Sequence, residues 1–90
     1  MPDAGESLLQ FPCSFPVKVM GQRQDGFAQA MIELALRFDP QFDPNTGVEL
    51  RDSRAGTYLG VTLNITATSR EQLDGLYRAL TAHPLVRLVL

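Results

Sequence analysis

Residues 57–68 read Thr-Tyr-Leu-Gly-Val-Thr-Leu-Asn-Ile-Thr-Ala-Thr, and apolar and polar side chains alternate here more regularly than elsewhere in the chain. The apolar set is Leu59, Val61, Leu63, Ile65 and Ala67, and the polar set is Tyr58, Thr62, Asn64, Thr66 and Thr68. A period of two is typical of a β-strand with one buried face and one face in water. The stretch therefore predicts a sheet covered on one face, as in an α+β sandwich, rather than a barrel or a helical bundle.

The segments before this strand show the patterns of another strand and of a helix. A first strand is expected around residues 16–21, and the apolar side chains on one of its faces are Phe15, Val17 and Val19. Asp25 is the expected N-cap of the following helix, because its carboxylate can accept hydrogen bonds from the first N–H groups. That helix carries one apolar stripe at helical spacing, formed by Phe27, Met31, Leu34, Ala35 and Phe38. The Asp-Pro pair at residues 39–40 is expected to end it.

Three further elements complete the predicted chain. A short strand is expected over Val48–Asp52, before the long one. Ser69 and Gln72 match a capping box, which marks the start of a second helix. The apolar stripe of that helix is formed by Leu73, Leu76, Tyr77 and Leu80. Pro84 closes the helix, and residues 85–90 are expected to form the last strand.

This order of elements, β-α-β-β-α-β, predicts an α+β fold, the ferredoxin-like sandwich. Right-handed crossovers would place both helices on one face of a four-stranded antiparallel sheet with the strand order 4-1-3-2. The expected helix-facing layer consists of Phe15, Val17, Val19, Val61, Leu63, Ile65, Val86 and Leu88. The chain should comprise a flexible N-terminal leader over residues 1–10 and a single domain over residues 11–90.

The composition indicates a globular protein in a reducing compartment. Of the 90 residues, 44% are hydrophobic and 20% are charged, which suffices to build a core. A net charge of −2 provides no electrostatic attraction for nucleic acid or for an anionic membrane. Cys13 is the single cysteine, so no internal disulfide bond can form. A secretory signal and a membrane-spanning apolar run are both missing from the sequence, and we expect a cytoplasmic location.

The residue types that perform catalysis or bind metals in other proteins form no matching pattern here. Cys13 could act as a nucleophile, but the single histidine, His83, lies far along the chain and no Asp or Asn visibly orients it. Asp43, Asn45 and Gly47 resemble part of a calcium-binding loop but lack its later ligands, and they indicate a turn. We therefore expect no enzymatic activity, no metal and no cofactor.

Three blocks of the sequence resemble one known family. The first is Phe11-Pro12-x-x-Phe15-x-x-Lys18-Val19-Met20-Gly21. The second is Gly56-x-Tyr58-x-x-Val61-Thr62-Leu63-Asn64-Ile65-Thr66-Ala67-Thr68, followed by Leu76-Tyr77, and the third is Val86-Arg87-x-Val89-Leu90. Over residues 11–90 the chain resembles the small bacterial YbeD-like proteins. The resemblance implies a fold similar to the regulatory ACT domain and a regulatory role connected with lipoic acid.

A first candidate site is the loop between the first strand and the first helix. Its candidate ligand-binding residues are Gly21, Gln22, Arg23 and Gly26. Backbone N–H groups of such a loop and of the helix start could receive an anion or a carboxylate. The resemblance to ACT domains implies a small ligand, because the corresponding loop of those domains often helps to bind an amino acid. A plain connecting loop is the alternative, and Asp25 would repel an anion.

A second candidate site is the sheet face turned away from the helices. Lys18, Asn64 and Arg87 are expected there, and they could bind a polar ligand or an acidic partner. The last strand is apolar on both faces except for Arg87, so we expect Val89 and Leu90, or the adjoining helix surface, to contact a second copy or a partner protein. Tyr58 is the one aromatic residue expected on this face, so we do not expect RNA recognition by stacking.

Two classes of function follow from these sites. The first is a non-enzymatic regulatory or adaptor protein that binds an unidentified protein partner, or itself, through the sheet face or an edge strand. The second is a sensor similar to ACT domains, with a small-molecule ligand near residues 21–26. Acylphosphatase-like hydrolysis ranks last: Arg23 and Asn64 are the required residue types, but the surrounding pattern is missing.

Overall fold

Six elements follow one another in the predicted order in the computed structural model, which describes residues 10–90. Strand β1 spans Cys13–Gln22, helix α1 Phe27–Phe38, strand β2 Val48–Asp52, strand β3 Tyr58–Ala67, helix α2 Arg70–Ala82 and strand β4 Val86–Val89. The expected flexible leader lies outside the described residues, apart from Gln10.

The four strands form one antiparallel sheet in the order β2-β3-β1-β4, as predicted. The longest pairing joins β1 to β3 from Cys13 opposite Ala67 to Gln22 opposite Tyr58. β1 thus begins three residues before Pro16, which lies inside this central strand. The backbone N–H and carbonyl groups of Lys18 face the β4 side, where they bond to Leu90. Pro16 lies two residues earlier, so its ring nitrogen faces the same side, at a level that β4 does not reach. A missing N–H is tolerated where no neighbouring strand needs it.

Both apolar helix stripes lie against one face of the sheet. The fully buried side chains of the core are Val17, Val19, Phe27, Met31, Val61, Leu63, Ile65, Leu76 and Leu80. Phe42, in the loop after α1, adds a further aromatic ring to this core, which the sequence pattern did not indicate. The predicted ferredoxin-like arrangement of a four-stranded sheet with two helices is therefore confirmed.

The predicted register of β4 is wrong, because the pairing shifts between Met20 and Gly21. Leu88 lies opposite Met20, and its exposed fraction is 48%. It therefore belongs to the open face rather than to the helix-facing layer. A bulge adds one residue to a strand and reverses the alternation of side chains beyond it. Val86 and Val89 accordingly both pack against the core.

Gly21 marks the place where this shift occurs. A Cβ atom there would overlap the carbonyl oxygen of Leu85 and the ring of Phe27. Residue 21 must therefore be glycine, because the chain before β4 and the first residue of α1 both approach it closely.

The two helices begin in different ways, and Asp25 is not the N-cap predicted for α1. Gly26 occupies that position with φ of 86°, and no side chain caps the helix. A positive φ favours glycine, so the backbone rather than a carboxylate determines this start. The predicted capping by Ser69 is confirmed, since its hydroxyl accepts a hydrogen bond from the N–H of Gln72 at 3.0 Å. The Gln72 side chain in turn accepts from the N–H of Thr68, one residue earlier than in a standard capping box.

Two polar side chains join the end of α1 to the end of β3. Asp39 is 4% exposed, and one of its carboxylate oxygens accepts a hydrogen bond from the N–H of Thr66 at 3.0 Å. Gln72 donates from its amide to the carbonyl oxygens of Phe38 and Thr66, at 2.9 and 3.1 Å. The bonds to Thr66 satisfy the N–H and carbonyl groups of a part of β3 that β2 is too short to reach.

Replacement of Leu63 by Ala should lower the free energy of unfolding by about 2–5 kcal/mol, because the transfer energy is lost and a cavity remains. Leu63 has no exposed surface. Leu88→Ala is the matched control on the open face and should change the value by no more than about 0.5 kcal/mol. Urea denaturation measures both, and equal effects of the two substitutions would contradict the described register.

Replacement of Asp39 by Ala should lower the free energy of unfolding by about 1–3 kcal/mol, since the N–H of Thr66 would lose its partner. Asp43→Ala is the control, because Asp43 also accepts a backbone hydrogen bond but is exposed. Hydrogen exchange of the Thr66 amide should accelerate in the first variant alone. Unchanged protection of that amide would show that Asp39 does not hold the end of β3.

Candidate interaction surface

The sheet face opposite the helices presents two rows of side chains across all four strands. The register aligns one row as Arg51, Gly60, Met20 and Leu88, from β2 to β4. The next row reads Glu49, Thr62, Lys18 and Leu90. Side chains directly opposite each other on neighbouring strands lie about 5 Å apart at their Cβ atoms. The two rows therefore form one continuous surface.

Exposed apolar side chains form a cluster on this surface, which we call the open-face patch: Met20, Tyr58, Leu88 and Leu90. Their exposed fractions are 42%, 42%, 48% and 67%, respectively. Gly60 lies among them, and a Cβ atom there would meet only the Arg51 carbonyl oxygen, at 3.5 Å. Crowding therefore does not require a glycine at this position. Because Gly60 has no side chain, a shallow groove lies between Met20 and Arg51, and residues of the open-face patch line it.

The charged side chains around the patch are mostly cationic. Lys18, Arg51 and Arg54 line the groove and form no ion pair within residues 10–90. Glu49 is the acid in the two rows, and its carboxylate accepts a hydrogen bond from the Asn64 amide at 3.4 Å. Asp52 also lines the groove, but it forms an ion pair with Arg23. The remaining charged side chains of the groove are three cations and the Glu49 carboxylate, a local positive excess in a chain with a net charge of −2.

The structure brings together three of the five interaction residues predicted from the sequence. Lys18, Asn64 and Leu90 line the open-face groove. Val89 instead lies opposite Val19 and packs against the core. Arg87 lies in the bulge, is exposed and does not line the groove. Whether any of these residues binds a partner stays a prediction.

Sequence reasoning missed four members of this surface: Met20, Leu88, Arg51 and Arg54. Alternation from Lys18 already placed Met20 on the open face, and a search for apolar residues there would have found it. Leu88 could not be found in this way, because the bulge reverses the alternation.

The C-terminal residue is held in place by two contacts. Its backbone pairs with Lys18 through hydrogen bonds of 2.7 and 3.2 Å. The hydroxyl group of Tyr77, on α2, donates to the Leu90 carbonyl oxygen at 3.2 Å. Partial burial raises the pKa of Tyr77, so this donor keeps its proton at neutral pH. The exposed side chain of Leu90 therefore extends from a fixed backbone.

The four predicted ligand residues of the loop between β1 and α1 do not form one site. Gly21 is buried, and Gln22 pairs with Tyr58 as the last residue of β1. Arg23 and Gly26 line a shallow groove on the helix side of the sheet, together with Gln24, Asp25, Ala28, Gln29, Leu50, Asp52 and Leu59. Leu50 is 57% exposed there.

An ion pair between Arg23 and Asp52 crosses this loop groove. The Arg23 Nε atom donates to a carboxylate oxygen of Asp52 at 2.7 Å. This hydrogen bond raises the pKa of Arg23 and lowers the pKa of Asp52, and the opposite charge acts in the same direction. Both side chains are about half exposed. The guanidinium group that would bind an anion in this loop already has a carboxylate partner.

Cys13 and His83 do not approach each other. Cys13 begins β1 opposite Ala67 and is partly buried, whereas His83 precedes β4 near the other end of β1. The Nδ1 atom of His83 accepts a hydrogen bond from the N–H of Leu85 at 3.1 Å. In the described part of the chain, no three His, Cys, Asp or Glu side chains are grouped to hold a metal ion. No helix within residues 10–90 has the length and apolar character to cross a membrane.

Arg23→Gln should return the pKa of Asp52 toward its ordinary value, as measured by NMR titration of the carboxyl carbon. Because folding lowers this pKa, the ion pair stabilises the protein above the unfolded pKa of Asp52. The contribution is lost as the pH falls through the folded pKa. Arg51→Gln is the control, since Arg51 forms no ion pair with Asp52. An unchanged titration of Asp52 in Arg23→Gln would contradict the described pair.

Comparison with known proteins places the whole domain in one family. The family described as "Protein of unknown function (DUF493)" matches residues 6–90. A UPF0250 protein of Leptothrix cholodnii is 56% identical over 85 residues, which cover 94% of this chain and 92% of the relative. A UPF0250 protein of Bordetella pertussis has the same identity and coverage. A UPF0250 protein of Paraburkholderia phytofirmans is 48% identical over 90 residues, the full length of both chains. The chain therefore belongs to the DUF493 family, which confirms the resemblance to YbeD-like proteins.

Proposed function

We propose that this protein is a non-enzymatic adaptor or regulatory protein that binds another protein through the open face of its sheet. The observation that carries the proposal is the open-face patch, which combines apolar side chains from β1, β3 and the end of the chain in one surface. Contiguous exposed apolar side chains rimmed by polar residues are typical of interaction sites.

The composition of the face supports a protein as the partner. Tyr, Met and Arg are enriched at the centres of protein interfaces, and the face carries Tyr58, Met20 and Arg51. These side chains lie on a rigid sheet, so little conformational entropy is lost on binding apart from their own rotamers. The shallow groove at Gly60 would admit one side chain of the partner between Met20 and Arg51.

The regulatory role follows from the family resemblance alone. The resemblance to YbeD-like proteins implies a connection with lipoic acid, and we therefore propose a protein of lipoate metabolism as the first partner to test. The open-face patch supports a protein partner whichever pathway that partner belongs to.

A sensor of small molecules is the second candidate, and the loop groove supports it. The start of α1 has no side-chain cap, and the N–H of Phe27 bonds to the Gln24 carbonyl oxygen. Ala28 and Gln29, in the first turn, line the loop groove together with Arg23. A ligand would have to compete with Asp52 for the Arg23 guanidinium group. Ligand-induced shifts in melting temperature that disappear in Arg23→Gln would favour this candidate.

Leu88→Glu should abolish capture of the native partner by the affinity-tagged protein, because it introduces a charge into the open-face patch. We expect at least about a tenfold loss of captured partner, as for an apolar residue that contributes strongly to an interface. Leu36→Glu is the matched control: Leu36 is 36% exposed on α1, on the helix side. Quantitative mass spectrometry of the captured material measures both variants, after circular dichroism has confirmed that they fold.

Two results would contradict the proposal. One is equal capture by the wild type, Leu88→Glu and Leu36→Glu. The other is loss of capture in Leu36→Glu alone, which would place the interface on the helices.

A further inference from the structure

We infer that the segment bound by the open face is an acidic, amphipathic α-helix of the partner protein. This inference rests on the proposed function and adds the chemistry and shape of what is bound. It is carried by the arrangement of apolar and cationic side chains across the four strands.

The two arginines and three of the four apolar side chains of the patch occupy different sides of the face. Met20, Leu88 and Leu90 belong to β1 and to the end of the chain, whereas Arg51 and Arg54 lie on β2 and in the turn after it. Gly60 separates the two sides and has no side chain to fill the space. A partner segment should therefore place apolar residues over β1 and β4 and carboxylates over β2.

The width of the face matches a single helix. Three inter-strand spacings separate β2 from β4, which is roughly 14 Å. An α-helix with its side chains is about 10–12 Å across, and its apolar and acidic stripes lie on adjacent sides. One helix could thus contact Leu88 and Arg51 at the two ends of the same row.

The charges favour an acidic segment over a neutral or basic one. Lys18, Arg51 and Arg54 have no acidic partner within residues 10–90, and they outnumber Glu49, the one acidic side chain of the groove that forms no ion pair there. Lys18 lies between Thr62 and Leu90 in the second row, so a cation also adjoins the apolar side. Complementary charge would increase the association rate and select against basic partners.

The same charges disfavour a second copy of this chain as the occupant. A twofold dimer brings the same surface of both subunits together, so the positive excess of one copy would adjoin that of the other. Like charges placed opposite each other oppose association. A different protein with carboxylates at these positions has no such conflict.

The experiment introduces a photo-crosslinking phenylalanine analogue at position 88 of the full-length protein in its native cell. The same analogue at position 36, on the helix side, is the control. Mass spectrometry identifies the peptide attached to each position. We expect position 88 to crosslink to one segment of another protein with helical spacing of apolar residues and a net negative charge, and position 36 not to.

Other crosslinks would separate the inference from the proposed function. A neutral or basic segment, or a second copy of this chain, would overturn the acidic helix but leave binding through the open face intact. If position 88 gives no protein crosslink beyond that of position 36, both the inference and the proposed function are wrong.

Affinity measurements with the crosslinked segment, made as a synthetic peptide, test the charges directly. Lys18→Glu combined with Arg51→Glu should weaken binding by about tenfold at low salt, a few-fold for each exposed ion pair. The difference from the wild type should shrink as salt is raised. Arg37→Glu combined with Arg78→Glu makes the same change of charge on the helices and should leave binding nearly unchanged. Equal affinities of the wild type and both double variants would overturn the proposed role of the cations.

Discussion

The antiparallel pairing of β1 with β3 is the interaction on which the rest of the structure depends. It joins the two longest strands over their whole length, from Cys13 opposite Ala67 to Gln22 opposite Tyr58. Every other element is positioned by one of these strands: β2 pairs with β3, and β4 pairs with β1. Because side chains alternate along both strands, a shift of the pairing by one residue would exchange the buried and exposed faces. The uniform burial of Val17, Leu63 and Ile65 shows that a single register accommodates both helices.

The two faces of this sheet have opposite chemical roles. On the helix side, apolar residues of both helices cover the strands. Every buried side-chain nitrogen or oxygen atom within the described residues has a hydrogen-bond partner. On the other side, the patch of Met20, Tyr58, Leu88 and Leu90 stays exposed beside cations. An antiparallel sheet with a solvent-exposed face usually carries polar residues there. The apolar content of this face is therefore a departure that the packing of the core does not require, and it is the feature on which the proposed function rests.

Two local features determine how the edges of the sheet end. Gly21 permits the close approach of the residue before β4 and the first turn of α1, and the bulge beside it turns Leu88 outward. Asp39 and Gln72 supply hydrogen bonds to the part of β3 that extends past β2. The bulge accounts for the place of Leu88 in the open-face patch, since an unbroken β4 with Val86 against the core would have turned Leu88 toward the helices. The candidate interaction surface thus depends in part on one irregular strand.

The sequence by itself determined the order of elements, the strand order and most of the core, because alternation and helical stripes are local patterns with one compatible topology. The bounds of β2 and the capping of α2 by Ser69 were likewise readable from neighbouring residues. Tertiary structure decided the start of α1 at Gly26, the role of Asp39, and the face occupied by Leu88. The last two depend on contacts between residues far apart in the chain, Asp39 with Thr66 and Met20 with Leu88, whereas the start of α1 depends on the positive φ of Gly26. A period of two carries no information about a bulge that a neighbouring strand imposes, so only the packed structure could show which apolar side chains remain exposed.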